Sequence, residues 1–155
     1  MKNLFISGIT GKVGKLLSSY ALESNHFKLV GGSCSSDNKF FGKDVGNLLE
    51  IDEIGIQISE KMSEDLSADI IIDFSSPKSS MKILQLAKIK EIPILIGTTG
   101  FSEDDLKEIE TASTQIPVLF APNTSSGIAI LKNILNKSKN LFSEDNEFSI
   151  SETHH

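Results

Sequence analysis

Apolar positions along the chain form short β-branched runs that alternate with longer stretches of helical spacing. Asn3 to Ser7 predicts a short buried strand, and the glycines after it lead into a helix from about Lys12 to Ser24. Phe27 to Gly32 predicts a second strand, completing a β-α-β unit with the right-handed crossover and parallel strands such units adopt. Ala68 to Phe74 is a continuous β-branched run, as expected of a central parallel strand covered on both faces, with Asp73 at its carboxyl end. Pro77 suits the first turn of a helix running to about Ile89, because proline lacks only an N–H that has no helical partner there. Pro93 to Ile96 is the next strand. Ser102 with Asp105 resembles a capping box opening a helix to about Ser113, and Ile116 to Phe120 supplies another strand. Ala121 to Gly127 reads as loop, Ile128 to Leu141 as helix, and Glu147 to Ser151 alternates like a strand with one exposed face. Between Asp37 and Glu64 the signal is weak and suggests loop with a short helix and a short strand.

Strands alternating with helices imply an α/β sheet, in which ligands bind at the carboxyl ends of the strands near the point where strand order reverses. Four loops fall on that edge: Gly8 to Gly14, Asp73 to Pro77, Gly97 to Phe101 and Ala121 to Gly127. The first reads Gly8-Ile9-Thr10-Gly11-Lys12-Val13-Gly14, a G-x-x-G-x-x-G variant of the dinucleotide fingerprint. Its chemistry is coherent: Gly8 allows a tight turn, Gly11 lets backbone approach a pyrophosphate, and Gly14 lets the helix lie close to the strand. Three glycines weaken a helix start unless something needs the backbone bare. The fold expected is a Rossmann-type, doubly wound, mostly parallel sheet, followed by the start of a second α+β domain. Residues 1–126 would form the dinucleotide-binding domain and residues 127–155 the beginning of the second one.

Bulk properties narrow the classes. With 155 residues, 39% hydrophobic and 23% charged, the chain can bury one real core and lacks the composition of a disordered segment. A formal net charge of −6 argues against a general nucleic-acid binder, which needs clustered cations. Cys34 is the single cysteine, so an intrachain disulfide and a cysteine metal cluster are both ruled out; no metal site is expected, and a reducing cytoplasm fits. No apolar run reaches membrane-spanning length, and strand residues begin too near Met1 for a secretion signal, so a cytoplasmic protein without membrane partners is expected.

A carboxylate about 20 residues past the glycines commonly holds the ribose hydroxyls of NAD. Here that neighbourhood reads Gly32-Ser33-Cys34-Ser35-Ser36, which would not repel a 2′-phosphate, and Ser33, Ser35, Ser36 and Lys12 could donate to it. This favours NADPH over NADH, with dual use or NADH open because Asp37 follows directly. Cys34 reads as a packing residue, since nothing nearby supplies a base. Asp73 either orients the loops or caps the following turn, and the residues alone do not separate the two.

Taken together, the glycine loop, Asp73-Phe74-Ser75-Ser76-Pro77, Gly97-Thr98-Thr99-Gly100-Phe101, Ala121-Pro122-Asn123-Thr124-Ser125-Ser126-Gly127 and Glu152-Thr153-His154-His155 resemble the 4-hydroxy-tetrahydrodipicolinate reductase (dihydrodipicolinate reductase) family over the whole chain. The resemblance implies NADPH- or NADH-dependent reduction of a cyclic dicarboxylate on the diaminopimelate route to lysine. It further implies that Gly8, Ile9, Thr10, Gly11, Lys12 and Val13 contact the dinucleotide. Gly97, Thr98 and Thr99 would lie along the nicotinamide, with Thr99 also near substrate, and Ala121, Pro122, Asn123 and Thr124 would complete the cofactor cleft. His154 would be the catalytic acid/base and His155 would bind a substrate carboxylate. Two departures stand out: many members carry an aromatic residue where Thr124 stands, and the family's usual carboxylate or arginine at the adenine ribose is replaced by Cys34-Ser35.

In the family a lysine, a Ser-Gly-Thr segment that grips substrate, and most of a second, tetramer-forming domain follow the paired histidines. The resemblance therefore implies that these residues are the cofactor domain plus the first strand of a substrate domain, with little or no reductase activity by themselves. The oligomeric state of this chain is left open, and the competing class is a non-catalytic NAD(P)-binding module or redox sensor.

Overall fold

The computed structural model describes residues 1–138 together with Ser149 and Ser151. The chain divides into two compact units, Met1–Pro122 and Asn123–His155. In the first unit β1 (Lys2–Ser7), β2 (Phe27–Ser33), β3 (Ile58–Ser59), β4 (Ile70–Asp73), β5 (Ile94–Ile96) and β6 (Val118–Phe120) form one sheet. Its order is β3-β2-β1-β4-β5-β6, and every strand pair is parallel. Helices α1 (Lys12–Glu23), α2 (Val45–Leu49), α3 (Pro77–Ile89) and α4 (Glu103–Ser113) make the crossovers. This is the Rossmann-type doubly wound sheet, with strand order reversing between β1 and β4.

The strand faces explain the two layers. Side chains alternate along β1, so Leu4 and Ile6 join a cluster with Ile9, Ala21, Val45, Leu48 and Ile58, while Phe5 joins Ile71, Leu84, Ala87, Ile94, Ile96 and Ile109 on the opposite face. Burial of a side chain such as Phe5 or Ile71, which are 1% and 0% exposed, contributes roughly 1.5–3 kcal/mol. Both faces of the central strands need cover, which is why Ile70, Ile71 and Ile72 run without polar interruption.

Helix boundaries follow local chemistry. Pro77 occupies the first turn of α3, and the Ser76 side chain caps it by accepting the Ser79 N–H at 3.4 Å. At α4 the box closes in both directions: Ser102 Oγ accepts from the Asp105 N–H at 3.2 Å, and Asp105 accepts from the Ser102 N–H at 3.0 Å. The weakly patterned stretch from Asp37 to Glu64 contains α2 and β3, held by Gly42 N–H to Ile58 carbonyl (2.9 Å) and Val45 N–H to Ile56 carbonyl (2.8 Å).

The second unit contains α5 (Ser126–Ser138), whose Ile130, Leu131, Ile134 and Leu135 are exposed. The expected continuation of this helix to Leu141 lies outside the described residues, as does the strand expected over Glu147 to Ser151 apart from Ser149 and Ser151. Among the described residues no helix is long and apolar enough to cross a membrane.

Candidate functional site

The glycine loop is shaped by what it must pass. Gly8 has φ +78°, a left-handed conformation, and a Cβ there would collide with the Phe74 carbonyl in the loop after β4. A Cβ on Gly14 would strike the Gly8 and Ile9 carbonyls, so its absence brings α1 down onto the end of β1. Gly11 differs: its φ is −71°, it is exposed, and a Cβ would stand 3.3 Å from the Gly8 carbonyl. It is the N-cap of α1, and no side chain caps that end. The first-turn N–H groups of a twelve-residue helix are thus left to an external acceptor, next to exposed Lys12 and Val13. Such an end, reached across bare glycine, suits the oxygens of a pyrophosphate.

Not every residue of the loop presents its side chain. Ile9 is 0% exposed and fills the space above Gly32 of β2, so only its backbone is available to a ligand. The N–H groups of Gly8 and Ile9 both go to the Ser33 carbonyl, at 3.0 and 3.1 Å. Thr10 accepts a 3.2 Å hydrogen bond from Asn38 Nδ2, which ties the loop to the chain leaving β2.

The loops after β4 and β5 are joined by a buried carboxylate. Asp73, 0% exposed, accepts hydrogen bonds from the hydroxyls of Thr98 (2.7 Å), Ser75 (2.6 Å) and Ser80. Thr98 Oγ1 in turn accepts the Ser75 N–H at 2.9 Å. Asp73 therefore connects two adjacent strand ends and the first turn of α3. Of its two expected parts the contacts match the joining of loops, since all three donors are side-chain hydroxyls and the cap of α3 is Ser76. The same network turns the Thr98 side chain inward, while Thr99 next to it is exposed. Gly97 is buried against the Phe74 ring, which a Cβ would penetrate. Beyond β6, the Ala121 N–H bonds the Ile96 carbonyl at 2.8 Å, and Phe120 meets Phe101 edge-on with centroids 5.8 Å apart.

The first unit thus brings together, on the carboxyl edge of one sheet, Gly8 to Val13, Gly97 to Thr99, and Ala121 with Pro122. Asn123 and Thr124 belong to the second unit, where Asn123 Oδ1 accepts the Ser125 N–H at 2.8 Å. His154 and His155 lie outside the described residues.

At the end of β2 the expected hydroxyl donors are reduced in number. Ser33 is buried, and the Ser35 hydroxyl is engaged by Asp37, leaving Ser36 and Lys12 exposed. Burial, and after it the charge of Asp37, pushes the Cys34 thiol above its ordinary pKa. That thiol is 8% exposed, which fits a packing residue. Sequence reasoning missed a group near this point: Lys15, Lys39 and Lys43 converge on the Phe40 ring. The signal available was the segment Lys39-Phe40-Phe41-Gly42-Lys43, two cations flanking aromatic residues just past the ribose position.

Comparison with known proteins agrees with this geometry. Residues 2–124 match the family model described as dihydrodipicolinate reductase, N-terminus. Among curated relatives, the 4-hydroxy-tetrahydrodipicolinate reductase of Buchnera aphidicola subsp. Baizongia pistaciae is 31% identical over 154 residues, covering 99% of this chain and 57% of the relative. That of Colwellia psychrerythraea is 33% identical over 150 residues, covering 97% and 56%. Among solved structures, dipicolinate-bound dihydrodipicolinate reductase from Paenisporosarcina sp. TG-14 superposes with a TM-score of 0.68 at 19% identity, covering 92% of this chain and 55% of that one. The chain therefore spans a little over half the length of the relatives it matches. On the extent of the family match, the chain belongs to the dihydrodipicolinate reductase family and corresponds to its N-terminal part.

Proposed function

We propose that this chain is the dinucleotide-binding part of a reductase that uses NADPH or NADH to convert 4-hydroxy-tetrahydrodipicolinate to tetrahydrodipicolinate in diaminopimelate and lysine biosynthesis. The observation that carries the reading is the uncapped start of α1 at Gly11, flanked by loops after β4 and β5 that the Asp73 network holds together. The chemistry of the bound nicotinamide is transfer of a hydride to an electrophilic unsaturated carbon. The chain's own part begins with binding: the Gly8 to Val13 loop holds the pyrophosphate, the N–H groups of the first turn of α1 donating to its oxygens, and Gly97 to Thr99 with Ala121 to Thr124 line the rest of the cofactor. Thr99 donates to a substrate carboxylate in this reading, which its exposure beside the buried Thr98 supports. His154 supplies the proton, because imidazole titrates near neutrality, and His155 binds a second carboxylate. Residues 1–126 then act as the cofactor domain and 127–155 open the substrate domain. The buried position of Cys34, 8% exposed, suits a reduced thiol in the cytoplasm.

The test reads the coding region past residue 155 and assays the polypeptide it encodes for substrate-dependent oxidation of NADPH. A downstream lysine and Ser-Gly-Thr segment, with turnover in that polypeptide and little in the 155 residues alone, is the expected result. Dinucleotide binding without turnover in the encoded polypeptide would reject the reductase in favour of a binding module or redox sensor.

A further inference from the structure

The loop from Gly97 to Phe101 leaves the sheet after Ile96, the end of β5, and enters α4 at its cap Ser102. Its start is fixed twice. The Thr98 hydroxyl donates to the buried Asp73 carboxylate at 2.7 Å, and the Ala121 N–H, just past β6, bonds the Ile96 carbonyl at 2.8 Å. Its far end carries Phe101, whose ring meets that of Phe120, the last residue of β6, with 5.8 Å between centroids and 70° between planes. That is the edge-to-face arrangement aromatic rings favour, in which the positive edge of one ring meets the negative face of the other. The capping box holds the adjoining backbone, the Ser102 N–H donating to Asp105 at 3.0 Å, so Phe101 is presented by a fixed helix start.

The pair does more than fill the core. Phe120 is 37% exposed on an edge strand of the sheet, and Phe101 is half-buried against the cluster that includes Ile94, Ile96 and Ile109. Gly100 has φ +86°, a left-handed conformation that glycine adopts freely, so the chain turns between Thr99 and Phe101 without strain. With Thr98 tied to Asp73 and Phe101 set against Phe120, only Thr99 and Gly100 lie between the two fixed points, and both are exposed. A loop ordered in advance loses less conformational freedom when a ligand settles on it.

We propose that Phe101 and Phe120 are positioning residues: their ring contact latches the loop assigned to the nicotinamide half of the cofactor, acting through Thr98 and Thr99. The proposal rests on the dinucleotide reading above. A binding group must be held to within about 0.5 Å of its productive place, and a leucine at either position keeps apolar bulk while losing the edge-to-face contact that sets the loop. Releasing the latch weakens the grip on the nicotinamide and spares the pyrophosphate, because the glycine loop is held by separate bonds, the Gly8 and Ile9 N–H groups donating to the Ser33 carbonyl.

The experiment titrates the chain and its F101L, F120L and F101Y variants with NADPH and with 2′-phospho-ADP-ribose, which lacks the nicotinamide ring. Calorimetry reads affinity, the fluorescence of the reduced nicotinamide reads the surroundings of that ring, and circular dichroism confirms that each variant is folded. F101L and F120L should each bind NADPH about fivefold more weakly and lose the fluorescence change, while their affinity for 2′-phospho-ADP-ribose moves by less than about twofold. F101Y, which keeps the ring, should behave as the unaltered chain. If F101L does not fold, F120L carries the test, since Phe120 is the more exposed of the two. Undiminished NADPH binding by the folded leucine variants, or an equal loss for both ligands, would overturn the latch and leave the dinucleotide reading standing. Failure of the unaltered chain to bind either ligand overturns the dinucleotide reading and the latch with it.

Discussion

The hydroxyl of Thr98 donates to the buried carboxylate of Asp73 at 2.7 Å, joining the end of β4 to the loop after β5. That loop, Gly97 to Thr99, is the segment assigned to the nicotinamide, so the bond links a core residue to the placement of a cofactor. D73A would strand the Thr98 and Ser80 hydroxyls, both buried, at roughly 1–3 kcal/mol each. Urea unfolding is expected to show a loss near the upper end of that range for one group or above it. A purely structural part would lower stability alone. The account predicts in addition that T98V weakens NADPH binding while T98S, which keeps the donor, restores it.

The glycines should separate by position. G8A forces a left-handed alanine, at roughly 1–2 kcal/mol, and adds a collision with the Phe74 carbonyl, so it should destabilise the fold by more than that strain. G11A meets neither obstacle, because φ is −71° and the nearest atom is 3.3 Å away. Its unfolding free energy should stay within about 1 kcal/mol of the unaltered chain. Reversal of that order in thermal or urea melts would contradict the assignment of turn and approach to these two positions.

Cys34 should be a sluggish nucleophile. Burial and the neighbouring Asp37 charge raise its pKa, which keeps the thiol protonated at neutral pH. Alkylation by iodoacetamide should proceed far more slowly than that of a free cysteine and accelerate on unfolding in urea. Rapid modification of the folded chain would count against the packing described at the end of β2.

Asp44 gives the fold a pH dependence of known sign. Its carboxylate accepts the Ile54 N–H at 2.9 Å and the Gly46 N–H at 2.7 Å, and these bonds, the one from Ile54 foremost, hold its pKa below the ordinary carboxylate value. A depressed folded pKa means that the contribution is fully present above the unfolded value of about 3.9 and is lost as pH falls through the lower folded one. Melting curves of the unaltered chain and D44N should therefore differ at neutral pH and converge in acid. A difference that persists unchanged into acid would show that the Asp44 charge is not involved.

Much of this was legible because the decisive interactions are local. Ser76 before Pro77, and Ser102 three residues before Asp105, cap their own helices, and the Ile70 to Ile72 run announces a strand covered on both faces. The stretch from Asp37 to Glu64 was obscure because its order comes from backbone bonds between distant residues, Gly42 to Ile58 and Val45 to Ile56, which leave no period in the side chains. The loop-joining part of Asp73 was likewise hidden, since its donor Thr98 is 25 residues away. In the site, the glycines could be read as three roles because each answers a different steric demand. The inward turn of Ile9 could not, because it depends on the gap above Gly32.

The central claim is that the bare start of α1 holds a dinucleotide pyrophosphate, and G11D tests it most directly. Aspartate is a favourable N-cap, so the variant should keep the fold while setting a negative charge where the phosphates would lie. Calorimetric titration with NADPH is predicted to give saturable one-to-one binding to the unaltered chain and at least tenfold weaker binding to G11D. Absence of binding of both NADPH and NADH by the unaltered chain, or undiminished binding by G11D, would contradict the claim.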